Sequence, residues 1–318
     1  MRFFITGYKG QLGYDLVREL SKRGELDIVV SDLGELESIN EKSLELKELT
    51  NIEYKSLDIT DKNQVNKVIE EVKPDVIIHC AAWTAVDKAE ELEDKVRSVN
   101  VEGTKNITDA SIAVGAKLIY MSTDYVFDGK KEGYYAEEDK VNPMSVYGKT
   151  KFEGEEEVRR NPKHFITRIS WVFGINGNNF IKTMVNLSEK FNELNVVDDQ
   201  VGSPTYTVDL SKILIDMAHT DKYGTYHVNN DGYCSWAEFA KYIFESNGLD
   251  TKVNPVTTEE YIELMGITQA YRPRNSKLSK EKLVEAGFEM LPSWQDATDR
   301  YCQELSNNNP VLRKSKRN

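Results

Sequence analysis

Tyr147 and Lys151 stand four positions apart in Tyr147-Gly148-Lys149-Thr150-Lys151. On a helix that spacing puts both side chains on one face, one turn apart. A phenol titrates near pH ~10 and moves protons poorly at neutral pH; a neighbouring ammonium favours the phenolate and is expected to bring that value down. Upstream lies Ser122-Thr123-Asp124, and Thr123 can hydrogen-bond the oxygen whose proton Tyr147 moves. A different chemistry opens the chain, where Gly7, Gly10 and Gly13 follow the apolar run Arg2–Thr6 at G-x-x-G-x-x-G spacing. Glycines there allow a tight turn and close approach of backbone to a pyrophosphate, and the loop, with Gln11 and Leu12, then offers N–H groups and a helix dipole to the anion.

Asp32 follows Gly13 by nineteen positions, where an acid at the end of a second strand accepts hydrogen bonds from an adenosine ribose and repels a 2′-phosphate. No Arg or Lys occurs in Ser31–Glu41, so NAD(H) is favoured and NADP(H) stays open. Asp58 and Ile59, after a third strand, are expected to meet the adenine. Ala81 and Ala82, after a fourth, leave room for the cofactor to pass, and Asn100 is placed to hold a water that carries protons towards Lys151.

These groups need elements to converge them. Short β-branched runs at Arg2–Thr6, Asp27–Ser31, Glu53–Leu57, Val76–Cys80, Lys117–Met121 and His164–Ile169 read as strands. Between them Gln11–Lys22, Lys62–Glu71, Asp94–Val114 and Val146–Arg159 carry apolar residues at helical spacing. Alternation of this kind predicts an α/β fold, a Rossmann-type doubly wound parallel sheet whose strand ends converge on a ligand crevice. The dinucleotide-binding part is expected over residues 1–172, with chain from about 205 to 232 crossing back to it. A smaller α+β substrate-binding part is expected over 173–305, and a frayed, basic tail over 306–318. The turn-rich break Gly174-Ile175-Asn176-Gly177-Asn178-Asn179 separates the two parts, and serine caps predict helices over Ser235–Ser246 and Ser279–Ala286.

Composition narrows the classes. The chain has 318 residues, 41 Lys+Arg against 53 Asp+Glu and a net charge of −12, which argues against nucleic acid as a partner. No apolar run approaches the roughly 18 residues of a membrane span, so no membrane association is expected. No leader is read in MRFFITGYKG, so a cytoplasmic location is expected. Cys80, Cys234 and Cys302 form no disulfide framework, and His79, His164, His219 and His227 form no metal motif, so no metal is assigned.

Three longer strings carry more information: Ala81-Ala82-Trp83-Thr84-Ala85-Val86-Asp87-Lys88-Ala89-Glu90, Ser122-Thr123-Asp124-Tyr125-Val126-Phe127-Asp128-Gly129 and Asp199-Gln200-Val201-Gly202-Ser203-Pro204-Thr205. With the glycine loop and the Tyr-x-x-x-Lys pair, they resemble the extended short-chain dehydrogenase/reductases, and within them the dTDP-4-dehydrorhamnose reductase family, from Met1 to about Leu305. The resemblance implies a catalytic triad of Thr123, Tyr147 and Lys151, and NAD(P)H-dependent reduction of the C4 ketone of a nucleotide sugar. It implies sugar contacts at Trp83, Asp124, Tyr125, Trp171 and Asn179. It also implies a diphosphate-side arginine, Arg272, in Arg272-Pro273-Arg274-Asn275-Ser276; Arg272, Arg274 and Arg168 are expected to draw a nucleotide dianion against the global negative charge. Two alternatives stay open, another nucleotide-sugar reductase or epimerase on the same scaffold and a non-catalytic cofactor-binding regulatory subunit. A homodimer is left open as well.

Overall fold

The protein is described from a computed structural model, over residues 1–25, 27–34 and 52–308. Residues 309–318, most of the expected tail, lie outside that description; the last helix runs through Asn308. Seven strands form the main sheet: β1 (Phe3–Thr6), β2 (Ile28–Asp32), β3 (Ile52–Ser56), β4 (Val76–His79), β5 (Lys117–Thr123), β6 (His164–Ile169) and β7 (Gly224–His227). Their order is β7-β6-β5-β4-β1-β2-β3 and every pairing is parallel. The order reverses between β1 and β4, and ligands bind at such a switch point, beyond the carboxyl ends of the strands.

The strands read as apolar runs because both faces are covered. Successive side chains point to opposite faces, so Phe3, Ile5, Ile28, Val30, Val76, Ile78, Ile119 and Phe165 enter one core. The intervening Phe4, Val29, Ile77, Leu118, Tyr120 and Ile166 enter the other. Four crossover helices, α1 (Gln11–Lys22), α2 (Lys62–Val72), α3 (Thr104–Val114) and α4 (Val146–Val158), follow β1, β3, β4 and β5. Asp61 caps α2 by accepting from Asn63 N and Gln64 N, and Ser145 caps α4 by accepting from Gly148 N, which sets Tyr147 in the first turn.

Beyond β6 come α5 (Phe180–Ser188), α6 (Thr207–Ala218), α7 (Trp236–Asn247) and α8 (Trp294–Asn308), with short strand pairs between them. Ser235 begins α7 with a reciprocal capping box to Glu238, in line with the predicted cap. At Glu281–Glu285 the cap position falls on Lys280, and Ser279 Oγ accepts only a 3.3 Å bond from Glu281 N.

The single helix predicted over Asp94–Val114 is broken. It consists of a turn at Glu93–Arg97, a π segment at Ser98–Gly103 and then α3. Hydrophobic spacing cannot reveal the extra residue of a π turn, because the apolar face resumes after it.

Candidate active site

The glycine loop leaves β1 at Thr6 and turns at Gly7, whose φ is +70°. A Cβ there would stand 2.7 Å from Ala81 N, so only glycine lets the loop pass the end of β4. Ala81 N in turn donates to Thr6 Oγ1 at 3.1 Å. Asp32 holds the far side of the loop: Oδ2 accepts from Lys9 N and Oδ1 from Leu33 N, both at 2.8 Å. Gln11 closes the remaining side, its Oε1 accepting from Gly174 N at 2.9 Å and from Asn179 Nδ2 at 3.0 Å.

Above this loop a cavity of about 700 Å³ runs across the carboxyl ends of the strands, within the usual range for small-molecule sites. One end is walled by Gly7, Gly10, Gln11, Leu12, Gly13 and Asp32, with Asp58, Ile59, Ala81 and Ala82 beside them. The other is walled by Thr123, Asp124, Tyr125, Tyr147, Lys151 and Trp171. A loop with glycine at three of its seven positions, at the N-terminus of α1 and opening into a cleft of this size, fits a dinucleotide.

Thr123, Tyr147 and Lys151 therefore converge, from the end of β5 and one face of α4. Their electrostatics differ from the expectation that Lys151 brings the phenol down. Burial pushes the Tyr147 phenol up to about 12; a hydrogen bond with Thr123 opposes the rise and the Asp124 charge adds to it. Burial likewise pulls the Lys151 ammonium down to about 7, against Glu155 and Cys80, which favour its charge. A protonated phenol is the form that a reduction needs, because it has a proton to give. The Lys151 Nζ lies over the Tyr120 ring, 4.1 Å from its centroid, and cations favour an aromatic face.

Beneath this pair sits a buried ion pair. Arg168, 1% exposed, donates through Nε and Nη2 to the two oxygens of Glu155 at 2.9 and 2.8 Å and through Nη1 to Glu137 O at 3.0 Å. Ser122 Oγ donates to Glu155 Oε1 at 2.5 Å. Arg168 thus serves the interior and does not face a nucleotide, which corrects the sequence expectation. Its partner lies on α4, and strand spacing cannot reveal that pairing.

At the Tyr147 end of the cavity, Asp124 is buried and accepts from Thr123 Oγ1 at 3.0 Å and from Ser276 Oγ at 2.5 Å. Burial outweighs these bonds and pushes its carboxyl up to about 6. Tyr125 meets Tyr147 edge-on, with ring centroids 5.5 Å apart.

Besides Arg168, five expected residues are not on the cavity wall. Asn100 lies in the π segment with its amide engaged by protein: Oδ1 accepts from Trp83 N at 2.8 Å, and Nδ2 donates to Trp83 O and Thr150 Oγ1 at 3.2 Å. It pins the loop after β4 where a water carrier was expected. Trp83 donates its indole N–H to Ala85 O at 3.1 Å. Asn179 caps α5 and donates to Gln11 Oε1, Gly174 O and Tyr301 Oη. Arg272 forms a two-pronged pair with Asp87, both contacts 2.9 Å. Arg274 pairs with Asp199 at 3.3 Å and with Glu259.

Sequence reasoning missed Cys80, Ser170, Asn176 and Asn178, which all line the cavity. The asparagine-rich break offered a signal, since Asn176 Nδ2 donates to Lys9 O at 2.9 Å and ties that turn to the glycine loop. Among the described residues no group of three or more His, Cys, Asp and Glu could hold a metal ion, and no helix is long and apolar enough to cross a membrane.

Comparison with known proteins agrees with this geometry. The chain is 38% identical over 307 residues to the spore coat polysaccharide biosynthesis protein SpsK of Bacillus subtilis (strain 168), covering 96% of this chain and 98% of that one. It is 39% identical over 310 residues to dTDP-4-dehydrorhamnose reductase of Aggregatibacter actinomycetemcomitans, covering 93% and 96%. A crystal structure of dTDP-4-dehydrorhamnose reductase from Bacillus anthracis str. Ames in complex with NADP superposes with a TM-score of 0.81 at 41% identity, covering 95% and 99%. A family model described as the RmlD substrate binding domain matches residues 1–307. By fold, cavity and this match over residues 1–307, the chain belongs to the RmlD substrate binding domain family.

Proposed function

We propose that this protein is an oxidoreductase that reduces the C4 ketone of dTDP-4-dehydro-L-rhamnose, giving dTDP-L-rhamnose. One observation carries the reading: Thr123, Tyr147 and Lys151 share a single cavity with the glycine loop and an aromatic wall. When bound, the reduced nicotinamide supplies the hydride. The chain's residues do the rest. Tyr147 gives its proton to the oxygen that becomes the 4-hydroxyl, and Thr123 hydrogen-bonds that oxygen. Lys151 holds the ribose hydroxyls and steadies the phenolate left behind.

Residues Gly7 to Gly13 hold the pyrophosphate at the start of α1. Asp32 faces the adenosine ribose and supports NADH over NADPH, while a relative 41% identical to this chain has been solved with NADP. Trp171 and Tyr125 offer apolar surface to the methyl-bearing face of a 6-deoxy sugar. Cys80, Cys234 and Cys302 form no disulfide, which suits a reducing compartment, and we assign the reaction to the cytoplasm.

The test is a coupled assay with dTDP-4-dehydro-6-deoxyglucose, a 3,5-epimerase and either NADH or NADPH. Stoichiometric consumption of reduced cofactor, with dTDP-L-rhamnose as product, is the expected result, and NADH should give the larger kcat/KM. Isomerised sugar without net cofactor oxidation would replace the reductase reading with an epimerase.

The ammonium also sets a pH dependence. Lys151 is charged below about 7 and neutral above it, and kcat/KM reports the free enzyme. Reduction measured as kcat/KM should therefore fall as pH rises through about 7. Lys151→Arg, whose guanidinium stays charged, should move that fall to higher pH. An alkaline limb identical in both proteins would show that another group controls it.

A further inference from the structure

Trp171 is one of two non-glycine residues with positive φ among the described residues, at +50°. For a bulky side chain this backbone region is strained, and it persists only where surrounding structure fixes it. Two neighbours do so. The Trp236 ring is stacked on the Trp171 ring, with centroids 3.6 Å apart and planes 13° from parallel. Gly202 lies against the same indole: a Cβ built there would stand 2.8 Å from Trp171 Cε2 and 3.0 Å from Nε1.

Both neighbours belong to one unit. Cys234 pairs antiparallel with Gly202 and Ser235 with Val201, so the strand that leads into α7 is held in register with the glycine. Ser235 fixes that start further, through its capping box with Glu238 and a 2.5 Å bond from Oγ to Asp198 Oδ1. Phe180 packs on the side of Trp236, with centroids 4.5 Å apart, and Thr205 N donates to Trp171 O at 3.1 Å. Strain, stacking and a missing Cβ thus converge on one ring of the cavity wall.

We propose that Trp236 and Gly202 are positioning residues that set specificity for the sugar, by holding the Trp171 indole as a preformed wall. Neither residue lines the cavity; each acts through Trp171. Preorganisation of this kind removes the ordering cost that a mobile indole would add to substrate binding. The inference rests on the reading above, that Trp171 meets the sugar.

The test compares Trp236→Leu, Trp236→Phe, Gly202→Ala and Trp171→Leu, with KM measured separately for the nucleotide sugar and for NADH. Far-UV circular dichroism adds a spectroscopic readout, since two stacked indoles give a coupled signal that either tryptophan substitution removes. Trp236→Leu should raise the sugar KM about five- to tenfold, the scale of an aromatic pair, with the NADH KM unchanged. Trp236→Phe keeps a flat ring against the indole and should recover most of that loss although the coupled signal is gone. Gly202→Ala should raise the sugar KM without altering NADH, and it stands in for Trp236→Leu should that variant fail to fold.

If Trp171→Leu raises the sugar KM while Trp236→Leu and Gly202→Ala leave it alone, the positioning role is overturned and the contact with sugar survives. If Trp171→Leu has no effect, the sugar-side reading of Trp171 itself fails. Equal rises in both KM values would mark a general structural role and would also overturn the proposal.

Discussion

Tyr147→Phe should lower kcat for ketone reduction by at least about a hundredfold, the usual scale for losing a general acid, while the fold and the affinity for reduced dinucleotide stay in place. The substitution removes one oxygen and keeps the ring, so the edge-on contact with Tyr125, at 5.5 Å and 79°, survives. What disappears is the proton that burial keeps on the phenol, since the hydroxyl is pushed up to about 12. Single-turnover oxidation of NADH measures the chemical step, and fluorescence titration with NADH measures binding. A variant that turns over at the wild-type rate would remove Tyr147 as proton donor, and the proposed mechanism with it.

Arg168→Leu should cost about 3 kcal/mol of stability, the lower end for breaking a buried ion pair. The lower end applies because Arg159 still reaches Glu155 Oε2 at 2.9 Å. The substitution leaves the Glu137 carbonyl without its donor and Glu155 without its main counter-charge. The pH dependence has a definite sign. In the parent, hydrogen bonds and charge from Arg168, with help from Ser122 and Arg159, outweigh burial and hold the Glu155 carboxyl below its ordinary value. A carboxylate lowered by folding adds stability above its unfolded pKa, and that contribution is lost as pH falls through the folded pKa. In the variant burial dominates, the carboxyl rises, and its ionisation opposes folding at neutral pH. The gap between the two proteins, measured by urea unfolding, should therefore narrow from neutral pH towards pH ~4–5 as Glu155 takes up a proton in the variant. A constant gap would mean that the loss comes from packing alone.

How much was legible in the sequence depends on the range of the cause. The glycine loop and Tyr147-x-x-x-Lys151 follow from local spacing, since a turn and one helical face are fixed within a few residues, and both were recognisable at once. Strands were legible as apolar runs because both faces of the sheet are covered. Long-range relations were not. The partner of Arg168 lies thirteen positions back on another element, so its guanidinium read as a candidate for nucleotide binding. Arg272 read likewise, and its pairing with Asp87 spans 185 positions. The opposed titration of Tyr147 and Lys151 was also hidden, because pairwise proximity suggests one direction while desolvation of both groups sets the other. Asn100 shows the same limit, since a π turn redirects its side chain without disturbing the apolar pattern around it.

The placement of β7 bears on how the chain is made. This outermost strand arrives more than fifty residues after its neighbour β6, so while the polypeptide emerges from the ribosome the sheet stands for a time with one flank unzipped. A bare strand flank is a template for association with other chains, and pairings between distant segments form slowly. Nascent chains paused between residues 170 and 223 should therefore be the form of this molecule that depends most on chaperones.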